Sequence, residues 1–294
     1  MITIAIPFYR GVNYLQRAVD SVLAQSASDW NLLIVDDCGP DQGAEELVRS
    51  YHDPRITYVR NPENLGMAGN WNRCLSLSQT DLVTLLHADD ELLPNYVRLM
   101  SQAAANDSES AAFFCGARII DAEGRKTFSF PDFVKGFINP ARVATTAFSG
   151  EQAITAMLRG NFIMCPTLCY RKSKLGNHRF RTDLKQVHDM ELTTSLLLAG
   201  AVITGLREVA YSYRRHGENA TTTQNQSLLR FEEEVALYDR LERAARAKVW
   251  TRAAALARRK TIIRLNLIFC IVQDVLRLEI AAARRKLAFL TMLG

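Results

Sequence analysis

Leu82-Val-Thr-Leu-Leu86-His87-Ala-Asp89-Asp90-Glu91-Leu-Leu-Pro94 runs an apolar strand into two adjacent carboxylates, ahead of a proline that opens a helix. Outward from this stretch towards the N-terminus, strand-like and helix-like segments alternate. Ile2–Pro7 is a buried apolar strand, Leu32–Val35 a second and Ile56–Arg60 a third. Between them Val12–Ala24, Ala44–Tyr51 and Gly66–Leu77 carry helical spacing, with Leu15, Ala18, Val19, Val22 and Leu23 as the apolar positions of the first. This alternation predicts βαβ units and a mostly parallel sheet flanked by helices, an α/β fold. In such sheets ligands gather at the carboxyl ends of the strands. Asp36-Asp37 and His87-Ala-Asp89-Asp90 both follow strands at that end.

Towards the C-terminus the pattern is less regular. Ala112–Ile120 and Arg125–Phe130 read as a hairpin about Asp121-Ala-Glu-Gly124, and a Phe/Pro/Gly-containing loop continues to about Phe148. Glu151–Leu158 is helical, Met164–Tyr170 a strand, Met190–Leu198 a helix and Ala201–Tyr213 strand-rich. From Ser227 almost to the end the spacing is helical. The chain thus divides into an α/β domain over residues 1–220 and a C-terminal helical extension over 221–294.

Hydrophobic residues make up 48% of the 294 and charged ones 23%, the balance of a folded soluble protein. A net charge of +5 does not point to nucleic acid. Its cations nevertheless crowd the C-terminal part, among them Arg258, Arg259, Lys260, Arg284, Arg285 and Lys286. With apolar runs at Leu267–Val272 and Leu287–Leu290, these helices suit a membrane surface, a partner subunit of the same chain, or packing back onto the first domain. The six cysteines contain no Cys-x-x-Cys pair and read as small core residues of a cytoplasmic protein. Met1–Pro7 has neither a basic region nor a cleavage site, so it reads as a strand and not as a signal peptide. No uninterrupted apolar run is long enough to span a bilayer.

Five clusters carry chemistry. Asp89 and Asp90 repel each other, and a cation or a donor between them relieves that. Mg²⁺ and Mn²⁺ favour a few carboxylates together with phosphate oxygens, while a plain acidic turn capping a helix uses the same dipeptide. Asp36-Asp37 ends a strand where a carboxylate reaches a ribose hydroxyl or a base edge, or starts a turn before Gly39-Pro40. Asn61-Pro-Glu-Asn64-Leu-Gly66-Met-Ala-Gly69-Asn70 is a Gly/Asn loop opening a helix, whose free N–H groups suit phosphate. His188-Asp189-Met-Glu191 starts a helix, as a cap or as a general base. Tyr213-Arg214-Arg215-His216 follows a strand, where a cation and an imidazole meet a diphosphate or a metal, or serve structure alone.

Taken in order, these segments resemble the family 2 glycosyltransferases of the GT-A fold, a Rossmann-like architecture. The matching features are Ile4-Ala-Ile-Pro7-Phe-Tyr9, Val35-Asp36-Asp37-Cys-Gly, Asn64-Leu-Gly66, His87-Ala-Asp89-Asp90, Asp189-Met-Glu191-Leu and Tyr213-Arg214-Arg-His216. Gly160-Asn161 and Cys165-Pro166-Thr167 add a likeness to the subgroup acting in surface-polysaccharide assembly. Arg10, Cys38, His87 and His188 depart from the usual pattern; His87 leaves H-x-D-D where the family has D-x-D, so Asp89 and Asp90 both remain open as the metal ligand. The resemblance implies an inverting transfer from a nucleotide-sugar donor to a saccharide or lipid-linked acceptor, with Mn²⁺ or Mg²⁺ as cofactor. Asp189 would be the catalytic base, with Asp90, Asp89 and His216 around the metal. Pro7, Tyr9, Asp37, Asn64, Gly66, Asn70 and Asp89 would bind the donor nucleotide. The cytoplasm, at the inner face of the membrane, is the matching location.

Two rivals of other classes remain on sequence grounds. A degenerate sugar-nucleotide-binding module is favoured by His87 and His188 and opposed by the retained Asp89, Asp90 and Asp189. A nucleotidyltransferase needs a Gly-rich basic loop after the first strand, where Pro7-Phe-Tyr-Arg-Gly11 stands instead.

Overall fold

The computed structural model describes residues 1–217 and 228–293, so both Ser227 and the dividing point between residues 220 and 221 fall outside the described residues. The strands are β1 (Ile2–Phe8), β2 (Trp30–Asp36), β3 (Ile56–Arg60), β4 (Leu82–Leu85), β5 (Glu91–Leu92), β6 (Ser110–Ile120), β7 (Thr146–Phe148), β8 (Leu168–Arg171) and β9 (Val202–Arg214). Helices α1 (Val12–Leu23), α2 (Ala44–Ser50), α3 (Gly66–Leu77) and α4 (Tyr96–Asn106) alternate with the first strands. They are followed by α5 (Phe130–Ile138), α6 (Gly150–Leu158), α7 (Lys172–Leu175) and α8 (His188–Leu198). The C-terminal helices are α9 (Leu229–Ala247), α10 (Thr251–Arg259), α11 (Thr261–Leu276) and α12 (Ile280–Met292).

The described strands form one sheet in the order β3-β2-β1-β4-β8-β6-β9-β5, with β7 also paired to β9. Its first half is wholly parallel, β3 to β2 to β1 to β4. Its second half is mixed: β8 runs antiparallel to β4 and β6, whereas β6 and β9 are parallel. Central β1 shows why its sequence is apolar but for Thr3. Ile2, Ile4, Ile6 and Phe8 join Leu15, Val19 and Val22 of α1 and Val97 and Met100 of α4 in one core. The opposite face of the same sheet half is covered by α3. A strand buried on both sides cannot alternate polar and apolar. Each fully buried isoleucine contributes roughly 1.5–3 kcal/mol.

One expected strand is absent. After β6 the chain turns at Asp121–Gly124, but the return arm keeps only an isolated bridge between Ile120 and Lys126. Residues 130–138 form α5, with Pro131 in the first turn, where a missing N–H costs nothing. The acidic stretch also differs in detail: Glu91-Leu92 make the short β5, and the helix after Pro94 starts at Tyr96.

Two compact units result. The first holds residues 1–149, 162–183 and 188–216, and with them the whole sheet. The second combines 150–161 and 184–187 with the helices after residue 217. Within it the Glu151 carboxylate accepts the Arg252 and Ala253 N–H groups at 2.7 and 3.1 Å, capping the N-terminus of α10. The buried pair Lys286–Asp274, at 2.6 Å, ties α12 to α11. No helix among the described residues is long and apolar enough to cross a membrane. All six cysteines are free.

Candidate active site

The parallel strands finish at one edge. Phe8 stands opposite Asp36, and the Leu86 N–H extends the β1–β4 ladder to the Ala5 carbonyl at 2.9 Å. Pro7, Tyr9, Asp36-Asp37 and the segment from His87 to Asp90 therefore share that edge, as the strand pattern predicts. The His87 carbonyl accepts the Asp90 N–H at 3.1 Å, and this turn separates the two neighbouring carboxylates.

Asp90 points inward and is 1% exposed. Its Oδ1 accepts the Arg214 N–H at 2.7 Å, and its Oδ2 accepts the Tyr211 hydroxyl at 2.9 Å. Burial, with the Asp89 charge beside it, pushes the Asp90 carboxyl well above the usual carboxylate range. Asp89 points outward, and its Oδ2 meets His216 Nε2 at 3.0 Å. Burial raises the Asp89 carboxyl, but the His216 bond and the two nearby imidazoles outweigh it and leave it below its ordinary value. His87, Asp89 and Asp90 each offer a ligand atom within 4.8 Å of the others. Nε2 of His87 is buried without a hydrogen-bond partner among the described residues.

The end of β9 closes the site from the other half of the sheet. Arg214, one of the two cations of the Tyr213-Arg214-Arg215-His216 cluster, is wholly buried. Its Nε donates to the Asp89 carbonyl at 2.7 Å, its Nη1 to the carbonyls of Asp121 and Ala122 at 2.9 and 3.0 Å, and its Nη2 pairs with Glu91. The guanidinium thereby binds the acidic turn and the loop after β6 to each other. Arg215 forks onto Asp132 of α5 at 2.9 and 2.7 Å. His216 lies against the Tyr14 ring, 4.9 Å between centroids.

Trp71 links α3, the acidic turn and α8. Its ring stacks on His87 at 5.5 Å and 24°, and meets Phe180 and His188 edge-on at 4.9 and 5.8 Å. Asp189 starts α8 beside His188 and is half-buried. Burial holds the His87 imidazole below its ordinary value, while the charges of Asp89 and Asp189 pull it the other way. Two carboxylates a hundred residues apart in sequence thus act on one imidazole. Glu191 turns inward and accepts the Ser195 hydroxyl at 3.0 Å. Trp71 was not singled out on sequence grounds. The signal was its place next to Asn70, in the helix that opens at the Gly/Asn loop.

Of the residues expected around the nucleotide, Tyr9 and Asn64 are exposed and Pro7 is half-buried. Asn64 Oδ1 accepts the Gly66 N–H at 2.8 Å, fixing the turn into α3. Asp37 Oδ1 accepts from Asn61 and from the Leu65 N–H, both at 2.9 Å. Asn70 is buried behind this loop, donating to the Val35 carbonyl at 2.9 Å and accepting from Asn61 at 3.1 Å. Asp36 is wholly buried under Tyr58, Arg60 and the Gly39 N–H. Gly39 is required here, because a Cβ at that position would strike the Tyr9 carbonyl.

Residues 3–163 match the family described as Glycosyl transferase family 2. The chain is 36% identical over 96 residues to the putative colanic acid biosynthesis glycosyl transferase WcaA of Escherichia coli, covering 32% of this chain and 34% of that protein. It is 27% identical over 217 residues to the putative teichuronic acid biosynthesis glycosyltransferase TuaG of Bacillus subtilis, covering 73% and 79%. Its fold resembles that of the Pyrobaculum calidifontis mannosyltransferase PcManGT, solved with GDP-Man and Mn²⁺. The TM-score is 0.61 at 14% identity, over 99% of this chain and 83% of that one. The chain belongs to glycosyltransferase family 2 and is a glycosyltransferase of the GT-A fold.

Proposed function

We propose that this enzyme moves a sugar from a nucleotide-sugar donor to a hydroxyl of a saccharide or lipid-linked acceptor, with inversion at the anomeric carbon, in cell-surface polysaccharide synthesis. The observation that carries the mechanism is the meeting of the acidic turn with the start of α8: His87 lies within 4.8 Å of Asp89, and Trp71 stacks on His87 while touching His188, the residue before Asp189. The names of WcaA and TuaG support the polysaccharide setting. The acceptor oxygen bonds to the anomeric carbon as the bond to the diphosphate breaks, and Asp189 takes the acceptor proton. Pro7, Tyr9, Asp37, Asn64 and Gly66 line the nucleoside side. Asn70 supports them through Asn61.

The residues fit a hard divalent ion, Mn²⁺ or Mg²⁺, because a carboxylate with diphosphate oxygens is its preferred donor set. Asp89 is the ligand in this reading, with His216 and His87 beside it, since both Asp90 oxygens already hold buried donors. The ion supplies positive charge for the departing diphosphate. Asp90 keeps the turn in place, and His216 orients Asp89. A cytoplasmic site at the inner face of the membrane fits a lipid-linked acceptor. The basic C-terminal helices serve there as a peripheral contact or as a contact with a second copy.

The test starts from a thermal-shift screen of nucleotide sugars with Mn²⁺, followed by transfer assays on the donor that binds. Asp189→Asn should leave donor binding within about twofold and cut transfer by roughly 10²–10⁴. Its melting temperature should hold, because Asn caps a helix about as well as Asp. Transfer near the wild-type rate would remove Asp189 from the mechanism.

A further inference from the structure

Helix α5 is built inside out. The residue of it that is buried is a charged one, Asp132, and that carboxylate is matched by the Arg215 fork. Its large apolar side chains face water: Phe133 is 57% exposed and Phe137 63%, and Phe130, Val134 and Ile138 are exposed with them. Phe128, just before the helix, is 73% exposed. A surface helix normally turns its apolar stripe to the core, and contiguous apolar patches on a soluble protein mark contact sites. Cations edge this one. Lys126 and Arg142 are exposed at either end, Lys135 is half-buried within the helix, and Arg142 lies over the Phe137 ring at 5.1 Å. With Asp132 neutralised, residues 125–143 hold no other acidic side chain.

We infer that α5 docks this enzyme on an anionic lipid bilayer, its phenylalanines entering the headgroup–acyl boundary while Lys126, Lys135 and Arg142 meet lipid phosphates. Nine residues cannot span a membrane, so the helix lies in its plane. Apolar area and positive charge are the two signals that together give a lasting interfacial contact. A second copy of the chain would bring these cations against their own counterparts. The Arg215–Asp132 fork joins the docked helix to the chain just after β9, next to His216.

Flotation of the full chain with phosphatidylcholine vesicles, with and without phosphatidylglycerol, tests this without donor or acceptor, so the outcome is independent of the transfer reading. The wild type should partition onto the phosphatidylglycerol vesicles at least tenfold more strongly. Phe133→Ser/Phe137→Ser should lose that partition at least tenfold while keeping its melting temperature, because both side chains are exposed. Phe137→Trp should shift its emission to the blue on adding the same vesicles. The inference is overturned if the wild type does not float, if the double variant floats equally well, or if the Trp emission does not move. It is also overturned if binding is lost only in Leu265→Ser/Ile268→Ser/Val272→Ser on α11. A concentration-dependent dimer of the wild type that the double variant abolishes would assign the face to a second copy instead.

Discussion

Asp90 and Tyr211 are joined at 2.9 Å, carboxylate Oδ2 to phenolic hydroxyl, beneath the turn that carries Asp89. The Arg214 N–H occupies the other Asp90 oxygen. The pair therefore fixes a floor, and the neighbouring carboxylate one residue earlier faces the site. Asp90→Ala should cost about 2–4 kcal/mol of stability, since it leaves two buried donors without an acceptor. Asp89→Ala should cost about 1 kcal/mol and abolish Mn²⁺-dependent donor binding. Denaturant titration and calorimetric donor binding on both variants separate the roles. Equal stability losses, or donor binding kept by Asp89→Ala, would show that the two carboxylates are not divided in this way.

Trp71 sets the spacing between the acidic turn and the start of α8, through its contacts with His87, Phe180 and His188. Trp71→Phe keeps an aromatic ring but shortens the bridge. Donor affinity should stay within about threefold, whereas kcat should fall roughly ten- to a hundredfold, the effect of misplacing a reacting group by a fraction of an ångström to an ångström. Steady-state kinetics beside donor titration distinguish the two. An equal loss in both would make Trp71 a general packing residue.

His87 gives the fold a pH dependence of defined sign. Burial lowers its folded-state value below the ordinary 6.5, against the pull of Asp89 and Asp189, so between those values the unfolded chain binds more protons than the folded one. The stabilisation is complete above pH 6.5 and is lost as the pH falls through the folded-state value, at up to about 1.4 kcal/mol per pH unit. Asp90, whose value is raised, works in the opposite sense and loses stability as the pH rises. Comparison of the wild type with His87→Gln isolates the imidazole. Denaturation in EDTA at pH 7.5 and 5.5 should show the larger loss on acidification in the wild type. Parallel losses would mean that His87 titrates at its ordinary value.

The first half of the fold was legible because each element has one periodicity and ends at a breaker. Ile56–Arg60 and Gly66–Leu77 coincide with β3 and α3, and the strand ends place both acidic clusters on one edge. The arm after Gly124 was not legible. Phe128-Ser-Phe130 alternates like a strand, yet Pro131 opens a helix directly after it, and the buried Asp132 makes sense only once Arg215 is beside it.

The sequence by itself determined the α/β architecture, the edge at which the site lies and the order of the clusters that build it, because these follow from local periodicity and from chain direction. Only the tertiary structure decided what each clustered residue does. Asp89 and Asp90 are chemically identical neighbours, and what separates them is what lies behind each. Tyr211 and the Arg214 N–H, 121 and 124 residues downstream of Asp90, take one carboxylate into the core and leave the other facing outward. The same holds for Arg214, whose cluster the sequence left open between ligand and structure and whose guanidinium is a buried joint. Burial and hydrogen-bond partners are properties of chain segments meeting in space, and no local pattern encodes which distant segment will arrive.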